Sequence, residues 1–316
     1  MAAIILLLLV LAALAIRQNI IVILLGSAAY VHLVWGDGHL EYLAEDIWIS
    51  LDNALLLAIP MFLLAGSVMT RGSIARRLID LAISITRPIP GGLAVATILS
   101  CAVFAAISGS SPVTLLAVGT IMYPALLSHG YDKRFAMGAL TSGGTLGIII
   151  PPSIPMVLYG VTTNTSIKDL FIAGIIPGIL LGGSFMVTSY IFARREGHPV
   201  DENFELPRLG KAFRDAAIPL IIPVFVVGGL IGGFVTPTEA AAVGVVAALA
   251  FGWILQHDLD AKRVYELAVV TVRQTSIVMM IIAGSAVLGQ FLANEQLPQQ
   301  IAQSLGGVTD SFLGRM

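Results

Sequence analysis

Two motifs interrupt apolar runs of this chain where a membrane helix would be expected to continue. The first is Ile107-Ser108-Gly109-Ser110-Ser111-Pro112; the second is Gly147-Ile148-Ile149-Ile150-Pro151-Pro152-Ser153. Proline has no N–H to give, and the first proline of a pair keeps the preceding residue out of the helical region. Each break therefore leaves backbone N–H and C=O groups without helical partners. Hydrocarbon offers them none, so such breaks persist in a bilayer only where protein or a water-filled cavity covers them. Two breaks close in sequence are the pattern of secondary transporters built on discontinuous helices.

The membrane premise rests on composition. Hydrophobic residues make up 57% of the chain and charged residues 11%, against about 25% charged in soluble domains. The chain is thus an integral membrane protein. A net charge of −2 indicates no nucleic-acid partner. One cysteine, Cys101, excludes a disulfide framework and a cysteine metal cluster. The five histidines include no His-x-x-x-His pair, which argues against a metalloenzyme.

Residues 2–16 form an apolar run ended by Arg17, and residues 20–35 form another. Ala13-Leu14-Ala15 resembles a signal-peptide cleavage site, but no basic leader precedes it, so two helices joined by a tight turn are the better reading. Residues 36–52 read as a polar loop with five acids (Asp37, Glu41, Glu45, Asp46, Asp52) and no Lys or Arg. A third span at 54–70 completes a scaffold unit over residues 1–70. Residues 71–90 read as an amphipathic arm. Its Ile74, Leu78, Leu81 and Ile85 recur at helical spacing, and Arg71, Arg76, Arg77 and Arg87 lie in and around it. It is expected along the interface, its arginines serving as snorkelling anchors. Basic segments stay in the cytoplasm, which places the arm inside and the acidic loop outside.

Residues 91–193 are the expected transport region. The runs 92–107 and 112–127 flank the first break and hold 16 residues each, about 24 Å of helix against a hydrocarbon core of about 30 Å. Arg87 before them and Lys133-Arg134 after them mark one side. The economical reading is a re-entrant hairpin entering from the cytoplasm, with two short spanning helices as the alternative. Residues 135–164 then form a helix broken at the prolines, and 170–193 an ordinary span. A cytoplasmic linker, 194–215, leads to a second set of scaffold spans over 216–293. Within it, Thr236-Pro237-Thr238-Glu239 has the form of a capping box that starts a helix, and 257–273 reads as a basic cytoplasmic loop with Lys262, Arg263 and Arg273. A periplasmic arm is expected over 294–316.

The halves carry opposite charge patterns around similar third spans, marked by Ala65-Gly66-Ser67 and Ala283-Gly284-Ser285. In the first half the loop before that span is acidic and the helix after it Arg-rich; in the second the loop is basic and the stretch after it has no Lys or Arg. By the positive-inside rule this is an inverted-topology repeat. The second half stops where its own hairpin would begin. A symmetric chain would need about a hundred more residues, so the sequence reads as C-terminally truncated.

A helix that ends inside the membrane leaves up to four carbonyls free, and one that starts there up to four N–H groups. Carbonyl and hydroxyl oxygens suit Na⁺, whereas the N–H end attracts an anion. The expected sodium ligands are Ser108, Gly109, Ser110, Thr145, Gly147 and Ile150. The expected substrate-binding residues are Ser110, Ser111, Pro152 and Ser153, with Ser111-Pro112 as N-cap and first turn of one helix and Ser153 as cap of another. The bland alternative is that these small residues only allow close helix packing. No Asp, Glu, Lys or Arg lies within 92–127 or 135–164, which argues against a proton relay.

At these motifs the sequence resembles the large membrane subunit of the tripartite ATP-independent periplasmic (TRAP) transporters. Matching stretches are Leu57-Ala58-Ile59-Pro60-Met61-Phe62-Leu63-Leu64-Ala65-Gly66, Ile107-Ser108-Gly109-Ser110-Ser111, Gly130-Tyr131-Asp132, Ile150-Pro151-Pro152-Ser153-Ile154-Pro155-Met156, Ala173-Gly174-Ile175-Ile176-Pro177-Gly178 and Thr236-Pro237-Thr238-Glu239-Ala240. The resemblance implies an all-α polytopic protein of the bacterial inner membrane: an inverted-repeat, elevator-type Na⁺ symporter for organic acids, with no organic cofactor. It also implies two partners besides the lipid bilayer, a small membrane subunit and a periplasmic substrate-binding protein. The family's second hairpin and second Pro-Pro break are not in this sequence, so the chain would hold half a site. Two rivals remain: a dicarboxylate or citrate carrier working without a binding protein, and an intramembrane hydrolase using Ser110 or Ser111. A purely structural subunit is a further possibility.

Overall fold

A computed structural model of the chain describes residues 2–35, 39, 41–71, 73–197, 205–256, 259–294 and 296. Those residues form helices and connecting turns, with no β-strand among them. In chain order the helices are α1 (Ala2–Ala15), α2 (Ile20–Trp35), α3 (Glu41–Leu51), α4 (Ala58–Arg71), α5 (Ser73–Thr86), α6 (Gly92–Ser108), α7 (Ser111–Ser128), α8 (Lys133–Thr145), α9 (Ile154–Thr163), α10 (Ile167–Arg195), α11 (Leu206–Ile231), α12 (Pro237–Ala250) and α13 (Ala261–Asn294). Short 3-10 turns cover Ala54–Leu57 and Leu146–Ile148, and one π-turn, Phe251–Leu255, extends α12. Among the described residues, five helices are long and apolar enough to cross a membrane: α7, α10, α11, α12 with its extension, and α13. A sixth is counted if α3 and α4 form one span. The chain is an all-α polytopic membrane protein.

Three segments expected as loops contain helix. Within 36–52, α3 starts at Glu41, whose charge suits a helix N-terminus. The 194–215 linker is helical from Leu206, with a proline in the first turn of α11. The basic segment 257–273 is helical from Ala261, and the Asp260 carboxylate accepts the Arg263 N–H at 2.8 Å. In each case charged side chains line the solvent-facing turns of a helix and hide its apolar period. The arm expected beyond Asn294 lies outside the described residues, Gln296 excepted.

The chain divides into two compact units, residues 1–53 with 275–316, and residues 54–274. In the first, α1 and α2 meet at a turn with Arg17 in the left-handed region (φ 57°), and Asn19 caps α2 through the Ile21 N–H at 3.0 Å. His32 on α2 reaches Asp46 on α3 at 3.2 Å. Gly284 of α13 lies so close to α2 that an added Cβ would stand 2.8 Å from the Leu24 Cβ.

The second unit holds both breaks. Here α5 packs its apolar face on α6 and α11. Ile74, Leu78 and Leu81 are buried as the spacing requires, together with Ala75, Ile79 and Ala82, whereas Ile85 is 46% exposed. The expectation that the arginines of this arm serve as snorkelling anchors needs correction at Arg77. Its Nη1 donates to the Asp215 carbonyl at 3.1 Å and its Nη2 to the Gln256 side chain, and the guanidinium lies 5.9 Å from the centre of the Phe251 ring. The α12 start forms the expected capping box: the Glu239 N–H donates to Thr236 Oγ1 at 3.3 Å, and the Thr236 N–H to Glu239 Oε2 at 2.8 Å.

On the same arm, partial burial raises the Asp80 carboxyl above its ordinary value of 3.8. Arg76 and Arg208 oppose that rise, and Asp215 adds to it. The ionised form is thus the disfavoured one in the fold, so the stability Asp80 contributes is greatest below pH 3.8 and falls as pH rises through the raised value. Asp80→Asn is expected to raise the denaturation midpoint at pH 7, with the gain shrinking as pH falls toward about 4. A gain that does not change with pH would contradict this.

Candidate functional site

The two breaks form where helix chemistry fails locally. Gly109 ends α6 at φ 60°, ψ 14°, its N–H reaching back to Ala105 O at 3.1 Å. The carbonyls of Ala106, Ile107 and Ser108 follow that last donor and have none within the helix. Ser110, extended at φ −140°, is the N-cap of α7, which puts Ser111 and Pro112 at the first and second helical positions. The expected N-cap at Ser111 is therefore one residue late, because the proline sits in the second position rather than the first.

At the second break, α8 begins on Asp132, whose carboxylate accepts the N–H of Arg134 at 2.8 Å and of Phe135 at 3.3 Å, and ends at Thr145. The Ile149 and Ile150 N–H groups both turn back to Leu146 O, at 3.0 and 2.9 Å. A cis Pro151–Pro152 bond follows, and Ser153 is the extended N-cap of α9.

The tertiary structure presses the two breaks together, backbone on backbone. The Ile154 N–H donates to Gly109 O at 3.0 Å. A Cβ on Gly109 would stand 2.7 Å from Pro152 O, and one on Gly147 would stand 2.8 Å from Ser111 N and 2.9 Å from Ser110 O. Of the residues singled out in the sequence, Gly109, Ser110, Ser111, Gly147 and Pro152 thus meet at one crossing, with Ser108 and Ser153 beside it in the chain. Ser108 is fully buried, its hydroxyl 2.8 Å from Thr114 Oγ1 and 3.3 Å from both the N–H and the carbonyl of Ser110. Ser153 is fully buried and donates to Ile148 O at 2.7 Å. The Ser111 hydroxyl oxygen is buried with no hydrogen-bond partner among the described residues. Two expected ligands stand differently. Thr145 is exposed, its hydroxyl donating to Ser142 O at 2.6 Å. Ile150 is half-buried, with its side chain against Gly178.

Sequence reasoning passed over the supports of this crossing. Thr114, fully buried one turn into α7, orients Ser108. Gly66 of α4 lies against Ser108, whose Cα and Cβ would be 3.0 Å from a Cβ there. On α10, Gly174, Gly178 and Gly182 recur every fourth residue and face Ile149 O, Ile150 and Leu146 in turn. That spacing was a readable signal: three glycines on one helix face admit an unwound segment at backbone distance.

Among the described residues the crossing holds no ionisable group, so its electrostatics are those of helix ends. Asp132, Ser166, Thr236 and Asp260 cap their helices with side chains. At α7 and α9 no side chain caps the first turn. At α7 the first-turn N–H groups are left to attract negative charge, beside the carbonyls that end α6; at α9 the Ile154 N–H is already taken by Gly109 O and Pro155 has none to offer.

The family model of the tripartite ATP-independent periplasmic transporter, DctM component, matches residues 5–315. The chain belongs to this family. It is 41% identical over 276 residues to the C4-dicarboxylate TRAP transporter large permease protein of Pseudomonas aeruginosa, covering 87% of this chain and 65% of the relative. It is 37% identical over 287 residues to the isethionate TRAP transporter permease protein of Oleidesulfovibrio alaskensis, covering 90% of this chain and 45% of the relative. A third relative is the ectoine TRAP transporter large permease protein of Halomonas elongata, 36% identical over 271 residues, covering 86% and 64%. The chain thus spans about half to two thirds of the length of these curated relatives. As a member of a family of transporter permeases it is a multi-pass protein of the bacterial inner membrane and not an enzyme.

Proposed function

We propose that the chain forms the first half of the transport site in a Na⁺-coupled, binding-protein-dependent importer of organic acids that works by an elevator movement. The observation that carries this reading is the crossing of the two breaks, where the uncapped N–H end of α7 and the carbonyls that end α6 share one buried place with a Ser111 hydroxyl that has no partner among the described residues. Carbonyls at the end of α6 and the Ser108, Ser110 and Ser111 hydroxyls are hard oxygen donors of the kind a sodium ion accepts. The starts of α7 and α9 are dipole ends for a carboxylate or another oxyanion. The three relatives are named for a C4-dicarboxylate, isethionate and ectoine, each of which presents a carboxylate or sulfonate. Backbone N–H groups select for that group and leave the remainder of the substrate to be chosen elsewhere, which suits supply by a periplasmic binding protein. In this reading α6 and α7 enter from the cytoplasm as a re-entrant hairpin, and a small membrane subunit completes the assembly.

The hydrolase reading loses support from the position of His129. It lies at the far end of α7, 18 residues from Ser111, about 27 Å along the helix, with its ring bonded to Ala125 O at 2.8 Å. A carrier working without a binding protein is separated by one measurement, uptake with and without added periplasmic protein.

The test of the sodium site is uptake into proteoliposomes by a protein carrying Ser110→Ala with Ser111→Ala. Loss of hydroxyl ligands should raise the half-saturating Na⁺ concentration about tenfold or more. An unchanged Na⁺ dependence would overturn the assignment.

A further inference from the structure

Apart from the crossing, the second unit contains a cavity of about 270 Å³ bounded by α4, α7 and α13. Ser67, Thr70, Leu116, Thr120 and Gln274 are among its lining residues. We infer that this cavity is a second cation site, taking a hydrated monovalent cation such as Na⁺ from the cytoplasmic side.

Its oxygens are arranged as acceptors. The Thr70 hydroxyl spends its proton on Ser67 O at 3.0 Å, and the Thr120 hydroxyl on Ala117 O at 3.1 Å. Both therefore have only lone pairs left to offer. Gln274 Oε1, a carbonyl oxygen, is buried with no partner among the described residues. An unsatisfied buried acceptor costs free energy that a donor or a cation would recover. Among the described side chains, no carboxylate lines the cavity to fix a divalent ion, and no Lys or Arg lines it to receive an anion. The volume corresponds to about nine waters at roughly 30 Å³ each, too large for a bare ion and suited to one that keeps part of its hydration shell.

Its place agrees with this use. Val113 lines the cavity and also lies 3.3 Å from the Cβ position of Gly66, which touches Ser108 of the first break. From there the lining runs along α7 through Leu116 to Thr120, toward the basic Lys133-Arg134 end. A role in staging the ion on its way to or from the crossing rests on the sodium reading above; the site itself does not.

The test places a cysteine at Leu116 in the chain reconstituted in liposomes, where the native Cys101 is buried. Its rate of reaction with a cationic thiol reagent is measured in Na⁺ and in choline. Na⁺ should slow the reaction severalfold. Gln274→Leu should abolish that protection, and Gln274→Glu should produce it at about tenfold lower Na⁺ because a carboxylate replaces a neutral oxygen. The opposite effects of the two variants separate binding from simple loss of folding. Equal rates in Na⁺ and choline for both the parent and Gln274→Glu would overturn the proposal. So would protection that survives Gln274→Leu but disappears with Ser110→Ala and Ser111→Ala, since the cavity would then be only a path. Protection that survives the double serine change while coupled uptake is lost supports two separate sites.

Discussion

Gly109→Ala is expected to destabilise the protein by about 2–4 kcal/mol and, under the proposed function, to abolish uptake. Two costs add. The residue sits at φ 60°, where a Cβ costs about 1–2 kcal/mol against the following carbonyl. The same Cβ would stand 2.7 Å from Pro152 O, and that segment cannot retreat without breaking the Ile154 N–H bond to Gly109 O. Gly147→Ala should behave similarly, since all three of its nearest neighbours are backbone or peptide atoms of Ser110 and Ser111. A control is Gly119→Ala in α7, where nothing lies within 4 Å; it should be neutral or stabilising by up to about 1 kcal/mol. Denaturation midpoints of the three variants in detergent check the set. A Gly109→Ala protein as stable as Gly119→Ala would mean that the breaks do not touch.

Removing Arg77 should cost about 2–4 kcal/mol. One guanidinium serves three elements: the α11 backbone at Asp215, the Gln256 side chain beyond α12, and the Phe251 ring in the π-turn. Arg77→Ala leaves the Asp215 carbonyl and Gln256 without that donor. Arg77→Lys should recover little, because an ammonium cannot span two acceptors in one plane and also lie flat on a ring. A double-mutant cycle with Gln256→Ala should give a coupling of about 1–2 kcal/mol. Additive losses would show that Arg77 acts as a surface charge, as the arm's sequence alone suggests.

Features set by contacts between near neighbours in the chain are legible in the sequence. Thr236, Pro237 and Glu239 specify a helix start by direct contact over three residues, and the capping box is present in full. Ser108–Ser111 and Pro151–Ser153 interrupt helix because glycine and proline act through their own backbone geometry. Polar helices were harder to see. In α3, and in the early turns of α11 and α13, charged residues face solvent or headgroups, so an apolar-run reading passes over them as loops. The N-cap slipped by one residue at Ser110 because a proline is tolerated at either of the first two helical positions.

The site divides along the same line. Sequence alone determines that two unwound segments without charge exist, and that their ends must offer carbonyls and N–H groups. Only the tertiary structure decides that Gly109 lies on Pro152, that Gly147 lies on the Ser110–Ser111 peptide, and that Ser108 turns to Thr114 while Thr145 stays exposed. It also decides that Arg77 is a brace. The physical reason is range. A helix break is made by the dihedral limits of a few consecutive residues, whereas a hydroxyl or guanidinium takes the partner that packing brings within about 3 Å, and that partner comes from a distant part of the chain.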